Sequence, residues 1–201
     1  GSMAALSVAG DGVTYTGVLT PTADTEDSSN TCAVGTSWTD TIGNAGTAST
    51  SANYAVETLK PTLTIAMTTS NSNSAYAKSG DTITLTITAS ESVTGLVCTI
   101  DAEATTMGGS GTSWTSALQL SGDETEQNTV FSCASGADAA GNTMVADTSA
   151  NTGAVTVDLT APTVGIGTVA TDGYINSAEA GSFTITGTAF GANSQTVTVT
   201  Y

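Results

Sequence analysis

Three kinds of side chain in this 201-residue sequence could do chemistry: carboxylates gathered in short stretches, three cysteines, and two lysines. Asp123, Glu124 and Glu126 form one acidic stretch, and Asp24, Glu26 and Asp27 form another about a hundred residues earlier. Hard cations such as calcium take six to eight oxygens from carboxylates, amide carbonyls and backbone. Calcium is therefore the cofactor these loops would suit. A second grouping would bring Asp138 or Asp158 to Asp172 or Glu179 near Pro162, where a cation would stiffen a joint between domains. The candidate metal ligands are thus Asp123, Glu124, Glu126, Asp158 and Asp172. None follows the EF-hand spacing or the glycine-rich nonapeptide pattern. The competing reading of each cluster is a solvated acidic turn. The Asp-x-x-Gly-Asn pentapeptides, Asp40–Asn44 and Asp138–Asn142, read as turns in which the aspartate binds local backbone amides.

Histidine is absent, which removes Ser–His and Cys–His nucleophilic arrangements and the commonest zinc ligand together. Paired carboxylates can cleave glycosides, but the acidic residues here fall in turns without an aromatic-lined cleft nearby. No catalytic residue is assigned. The 22 glycines are dispersed through turns and form no phosphate-cradling motif. A self-made isopeptide bond would need Lys60 or Lys78 buried beside Asn or Asp. Lys60 lies at a domain junction and Lys78 in a loop, where lysines are ordinarily exposed.

Two lysines against eighteen Asp and Glu give a formal charge of −16. Such a chain cannot neutralise several phosphates, so nucleic acid is excluded as a partner, and an anionic membrane surface is disfavoured. Membrane insertion is not expected, because no stretch approaches the roughly 18 to 20 apolar residues a spanning helix needs.

Cys98 and Cys133 lie in strand-like stretches and are expected to form a disulfide, across sheets or between neighbouring strands. Closing that loop would stabilise the fold by about 3 to 4 kcal/mol. Two buried free thiols are the alternative.

Behind these residues lies an internal repeat of about a hundred residues, visible when 12–63 is set against 111–164. Gly12-Val13-Thr14-Tyr15-Thr16 matches Gly111-Thr112-Ser113-Trp114-Thr115, and Leu19 matches Leu118. The two acidic stretches follow, then Cys32 and Cys133, then the two pentapeptides. Thr50-Ser51-Ala52-Asn53 matches Thr148-Ser149-Ala150-Asn151, and both copies end in Pro-Thr, at Pro61 and Pro162. This register makes 61–160 one complete unit. Residues 4–60 carry only the later part of such a unit, and 161–201 only the opening of another. Cys32 occupies the position of Cys133 without its counterpart, so it is expected free or cross-linked between chains. Trp38 has no aromatic counterpart and reads as an exposed contact residue.

Within the complete unit, period-two alternation and β-branched residues predict strands at 62–67, 82–88, 95–100, 113–120, 129–134 and 154–159. Ile83, Leu85 and Ile87 should face a core, with threonines on the wet face. Turns are expected at Ser79-Gly80-Asp81, Gly108-Gly109 and Ala140-Gly141-Asn142. Many short strands between turns make a β-sandwich the leading architecture, ahead of a barrel. Unclosed units at both ends would expose strand edges, inviting strand exchange between chains or completion of one sandwich from both ends.

The run Tyr76-Ala77-Lys78-Ser79-Gly80-Asp81-Thr82 through Glu91, with Asp138-Ala139-Ala140-Gly141-Asn142 and Leu159-Thr160-Ala161-Pro162-Thr163, resembles the bacterial immunoglobulin-like repeats of very large surface proteins. Residues 168–180, with Ile185-Thr186-Gly187-Thr188 and 195–199, are similar to repeats of biofilm adhesins. The resemblance implies an all-β chain of tandem immunoglobulin-like β-sandwiches, one complete and partial at both ends. It also implies neighbouring repeats of the same kind as partners and a secreted or cell-surface location. The functional expectation is a non-catalytic structural spacer, or stalk repeat, of an adhesin. The alternative is a ligand-binding module for carbohydrate or protein, which would gather Trp38, Tyr54 or Tyr174 around a polar cleft.

Overall fold

The computed structural model of the chain describes residues 2–3, 7–8, 13–170, 172–181, 184–191 and 196–200. Gly12, Thr171, Gln195 and Tyr201, which figure in the repeat and in the family likeness, lie outside the described residues. Every regular element among those described is a strand, as the alternating sequence requires. The chain divides into two compact units, residues 1–157 and 158–201.

The first part of the larger unit consists of short antiparallel ladders. β1 (Ser2–Met3) pairs with β4 (Leu19–Thr20), and β2 (Ser7–Val8) with β3 (Tyr15–Thr16). β5 (Glu26–Asn30) pairs with β8 (Tyr54–Glu57), and β6 (Ala33–Val34) with β7 (Ser49–Thr50). Among the described residues from 13 to 60, no side chain is fully buried.

The hydrophobic core lies wholly between Leu63 and Val157. β9 (Leu63–Thr69) and the long β11 (Thr82–Val93) alternate strictly, with Leu63, Ile65 and Met67 and then Ile83, Leu85, Ile87 and Ala89 turned inward. β11 is the centre of a three-stranded antiparallel sheet, flanked by β9 (Leu85 opposite Met67) and by β14 (Thr106–Gln119; Leu85 opposite Ser116). A second three-stranded sheet sets β12 (Val97–Ile100) between β13 (Glu103–Ala104) and β15 (Phe131–Ala134). Its inward residues are Cys98, Ile100, Phe131 and Cys133. β10 (Tyr76–Ala77) and β16 (Thr156–Val157) form a parallel pair that adds Ala77 and Val157 to the interior. Each fully buried Ile or Leu contributes about 1.5 to 3 kcal/mol.

Strand limits differ most from the sequence expectation in three places. β11 runs on to Val93 with a register shift after Thr88, because Ala89 and Val93 still find the core. Gly108 and Gly109 do not separate elements; they lie inside β14, which doubles back around Gly111. Gly109 and Gly111 adopt positive φ (94° and 64°), and Ser116 Oγ donates to Thr105 Oγ1 at 2.7 Å across the bend. Only glycine takes such φ values freely. The final strand shortens to β16, and residues 151–152, ahead of it, run beside β9: Ile65 N–H donates to Asn151 Oδ1 (2.6 Å) and Met67 N–H to the Thr152 carbonyl (2.9 Å).

In the second unit, β17 (Thr163–Ile166) pairs antiparallel with β18 (Gly187–Phe190). No described residue from 158 to 200 is buried.

Candidate functional site

The two core cysteines are joined. Cys133 gives its own N–H and carbonyl to Asp147 (2.8 and 2.9 Å), so the side it turns toward β12 carries no ladder hydrogen bonds. Opposed residues approach most closely at such positions, about 4.5 Å between Cα atoms. Cys98 sits directly opposite, with the Cα atoms 4.1 Å apart, and the Cys98–Cys133 disulfide forms between neighbouring strands of one sheet. Cys32 is free and partly exposed.

The two Asp-x-x-Gly-Asn loops are built alike. Asp40 Oδ1 accepts from the Ile42 and Asn44 amides (3.0 and 2.8 Å), and Asn44 Nδ2 donates to Asp40 Oδ2 at 2.6 Å. Asp138 Oδ1 accepts from the Gly141 and Asn142 amides (2.7 and 2.8 Å), and Asn142 Nδ2 donates to Asp138 Oδ2 at 2.8 Å. In each loop the asparagine carboxamide, foremost, and the local amides hold the carboxyl below the ordinary aspartate value. Asp138 is buried and Asp40 exposed. The turn at Lys78–Asp81 repeats the device, with Asp81 Oδ2 accepting from the Lys78 amide (2.9 Å) and Asn71 Nδ2 (2.6 Å). Lys78 and Lys60 are both exposed.

The acidic stretch turns inward on its own backbone. Glu124 loses solvation, which by itself would raise its pKa, but the Ser121 and Gly122 amides (2.6 and 2.8 Å) outweigh this and lower it to about 2. Ser121 Oγ donates to both Glu124 and Asp123. Asp158 Oδ1 accepts from the Thr160 amide (3.1 Å) and Asp172 Oδ1 from the Tyr174 amide (3.0 Å), each within its own turn. Glu179 caps Asn176 in the same way (3.1 Å). Among the described residues, no three His, Cys, Asp or Glu side chains gather into a metal-holding group. The sequence reading passed over Asp101, which sits at positive φ (50°) and binds the Val130 amide (2.9 Å) and Gln127 Nε2 (3.2 Å). An Asp-Ala pair between strands carries no composition signal that would have singled it out.

Glu91 stands apart from the other acids. Partial burial, reinforced by the negative charges of Asp138, Glu57 and Glu26, pushes its carboxyl above the ordinary value. Asn142 Nδ2 also donates to the Glu57 carbonyl (3.3 Å), tying the Asp138 loop to the end of β8.

The aromatic residues are not brought together. Tyr54 lines a shallow groove with Leu19, Pro21, Asp27 and Val56. Tyr174 lies in the second unit and is exposed. Trp38 is 51% exposed and lies flat on Gly46, where a Cβ would run into the indole. Its counterpart in the complete repeat is Gly136, and the pairing is the same: Gly46 N–H donates to the Trp38 carbonyl (2.8 Å), Met144 N–H to the Gly136 carbonyl (2.9 Å). Large and small have exchanged places across the ladder. Met144 is buried over Gly136 with Leu96 beside it, whereas no side chain of comparable cover buries Trp38.

Two copies thus share the aspartate loop, the cross-ladder large-small pair and the cysteine position, on an all-β framework. Residues 1–56 match the family model of a bacterial Ig-like domain. This match falls on the copy whose loops are rebuilt in residues 111–160, which supports the reading of the repeat as bacterial Ig-like. No curated protein and no solved structure matches the chain.

Proposed function

We propose that the chain is a spacer segment of a bacterial surface protein, a run of Ig-like repeats whose work is length and stiffness. The observation that supports this best is repetition of structural parts: the Asp40 and Asp138 loops use the same atoms in the same way. What the copies share is turn architecture, and Glu124, Asp158 and Asp172 each accept from backbone amides of their own turns. Proteins of this domain family are typically non-catalytic structural or surface modules. An all-β interior closed by a disulfide suits an oxidising exterior, secreted or at the cell surface. Exposed acids keep such rods soluble and apart.

The test is X-ray scattering on the chain and on versions lengthened by further copies of 61–160. A spacer adds a fixed increment to the maximum dimension with each copy, and the increment survives chelator. A maximum dimension that stops growing refutes the spacer. Saturable binding in a glycan or protein panel, lost on changing Tyr54, would favour the ligand-binding alternative.

A further inference from the structure

Residues 13–60 and the repeat that follows share no ladder: among the described residues, no strand of β1–β8 pairs with any of β9–β16. They meet at the short segment 57–62. Its far end is pinned by Ser90, whose N–H donates to the Thr62 carbonyl (2.9 Å) and whose Oγ accepts from the Thr62 N–H (3.0 Å). Its near end is held by Asn142. A carboxamide nitrogen carries two donors, and Asn142 Nδ2 gives to Asp138 Oδ2 (2.8 Å) and to the Glu57 carbonyl (3.3 Å). One side chain thus latches the aspartate loop to the end of β8.

Four carboxylates surround this latch. Glu57 lies directly opposite Glu26 across β5 and β8, a placement in which like charges repel. Glu57 Oε1 accepts from the Leu59 N–H (2.6 Å), which keeps that carboxylate along the junction. Thr94 and Ala137 exchange both backbone hydrogen bonds (2.8 and 3.0 Å), bringing buried Asp138 beside the end of β11, where Glu91 follows Ser90. β9 and β14, the strands flanking β11, carry no charged residue, and Lys60, the one lysine of the junction, is exposed. Burial, and then the charges of Asp138, Glu57 and Glu26, oppose ionisation of Glu91.

We infer that this junction is a proton-sensitive joint: with Glu91 neutral the Asn142 latch holds the two parts as one body, and with Glu91 ionised the joint loosens. Opening carries Glu26 and Glu57 away with the first part and returns Glu91 to water, so the open form favours the carboxylate and the closed form the acid. Stiffness is therefore complete below the ordinary glutamate range and fades as pH rises through the folded value. Asp138 keeps its charge longer on acidification, because Asn142 and local amides hold its carboxyl low. The inference does not rest on the spacer reading, since acid would tighten the joint of a binding module equally.

Backbone amide nitrogen relaxation on the full chain reads the joint directly, by comparing the tumbling of 13–60 with that of 63–157. In acid the two correlation times should agree. As pH climbs through the Glu91 titration they should part toward about a twofold ratio, because the first part is about half the size of the second and tumbling time scales with volume. Glu91→Gln should hold the ratio at about one across that range, and Asn142→Ala should leave it at about two at every pH. Glu57→Gln, whose amide oxygen can still accept from Leu59, should lessen the parting at neutral pH. Should Asn142→Ala unfold the Asp138 loop, the two glutamine variants still decide. A ratio indifferent to pH in the native chain, a pH dependence undiminished in Glu91→Gln, or common tumbling in a folded Asn142→Ala each overturns the proposal.

Discussion

Breaking the Cys98–Cys133 bond should cost this fold a large part of its stability, and the size follows from chain entropy. The cysteines are 35 residues apart in sequence. Closing a loop of that length removes about 13 cal/mol/K from the unfolded chain, close to 4 kcal/mol at 25 °C, and native bridges deliver about 2 to 4. Both sulfurs lie in a closed interior, with Cys98 and Cys133 at most 1% exposed, so reduction leaves two packed thiols and adds no cavity of its own. The loss therefore resides in the unfolded state. Urea unfolding in a Cys32→Ser background, with and without reductant, isolates it. The midpoint should fall by an amount equivalent to roughly 3 kcal/mol, or on the order of 15 °C in Tm. The denaturant slope should rise, since an unlinked chain exposes more surface. A midpoint that moves by less than about 0.5 kcal/mol would refute the loop-entropy reasoning.

Leu85→Ala, at the centre of the three-stranded sheet and 0% exposed, should cost about 2 to 5 kcal/mol by urea unfolding, with the far-UV spectrum unchanged. Glu124 has its pKa lowered from 4.5 to about 2, so its stabilisation is present above pH 4.5 and disappears as pH falls toward 2. Allowing for solvent screening, Glu124→Gln should remove on the order of 1 kcal/mol at neutral pH and flatten that acid limb. Glu91 has the opposite sign: its pKa is raised, so the stability it gives is complete below its unfolded value and fades as pH climbs through the folded one. Glu91→Gln should accordingly make the protein less sensitive to pH just above the ordinary glutamate range. Asn142→Ala should let the Asp138 carboxyl titrate nearer its ordinary value, readable by carbon-detected NMR, and an unchanged titration would deny Asn142 the leading role.

Local chemistry was legible in the sequence wherever a residue's partner lies within a few positions. The aspartates of both pentapeptides bind amides two to four residues away, so the turn is encoded in the five residues themselves. The same holds for the alternation of Ile83, Leu85 and Ile87, whose faces follow from a period of two whatever the partner strand. The internal repeat announced which cysteine would lack a mate. The acidic stretches are different: composition records that carboxylates are close, but only the fold shows Glu124 turned onto Ser121 and Gly122.

Tertiary structure alone decided what depends on pairing across distance. That Cys98 meets Cys133 on a neighbouring strand rests on the register of β12 against β15, which Asp147 fixes from the far side. That Gly108-Gly109 folds inside β14, and that Trp38 lies on Gly46 as Met144 lies on Gly136, are consequences of backbone pairs many residues apart. Sequence by itself set the alternation of the strands and the aspartate turns, because those arise from local sterics and hydrogen bonding. That the buried side chains gather between Leu63 and Val157, while no described residue of 13–60 or 158–200 is buried, was settled by strands meeting across distance to exclude water from a shared interior.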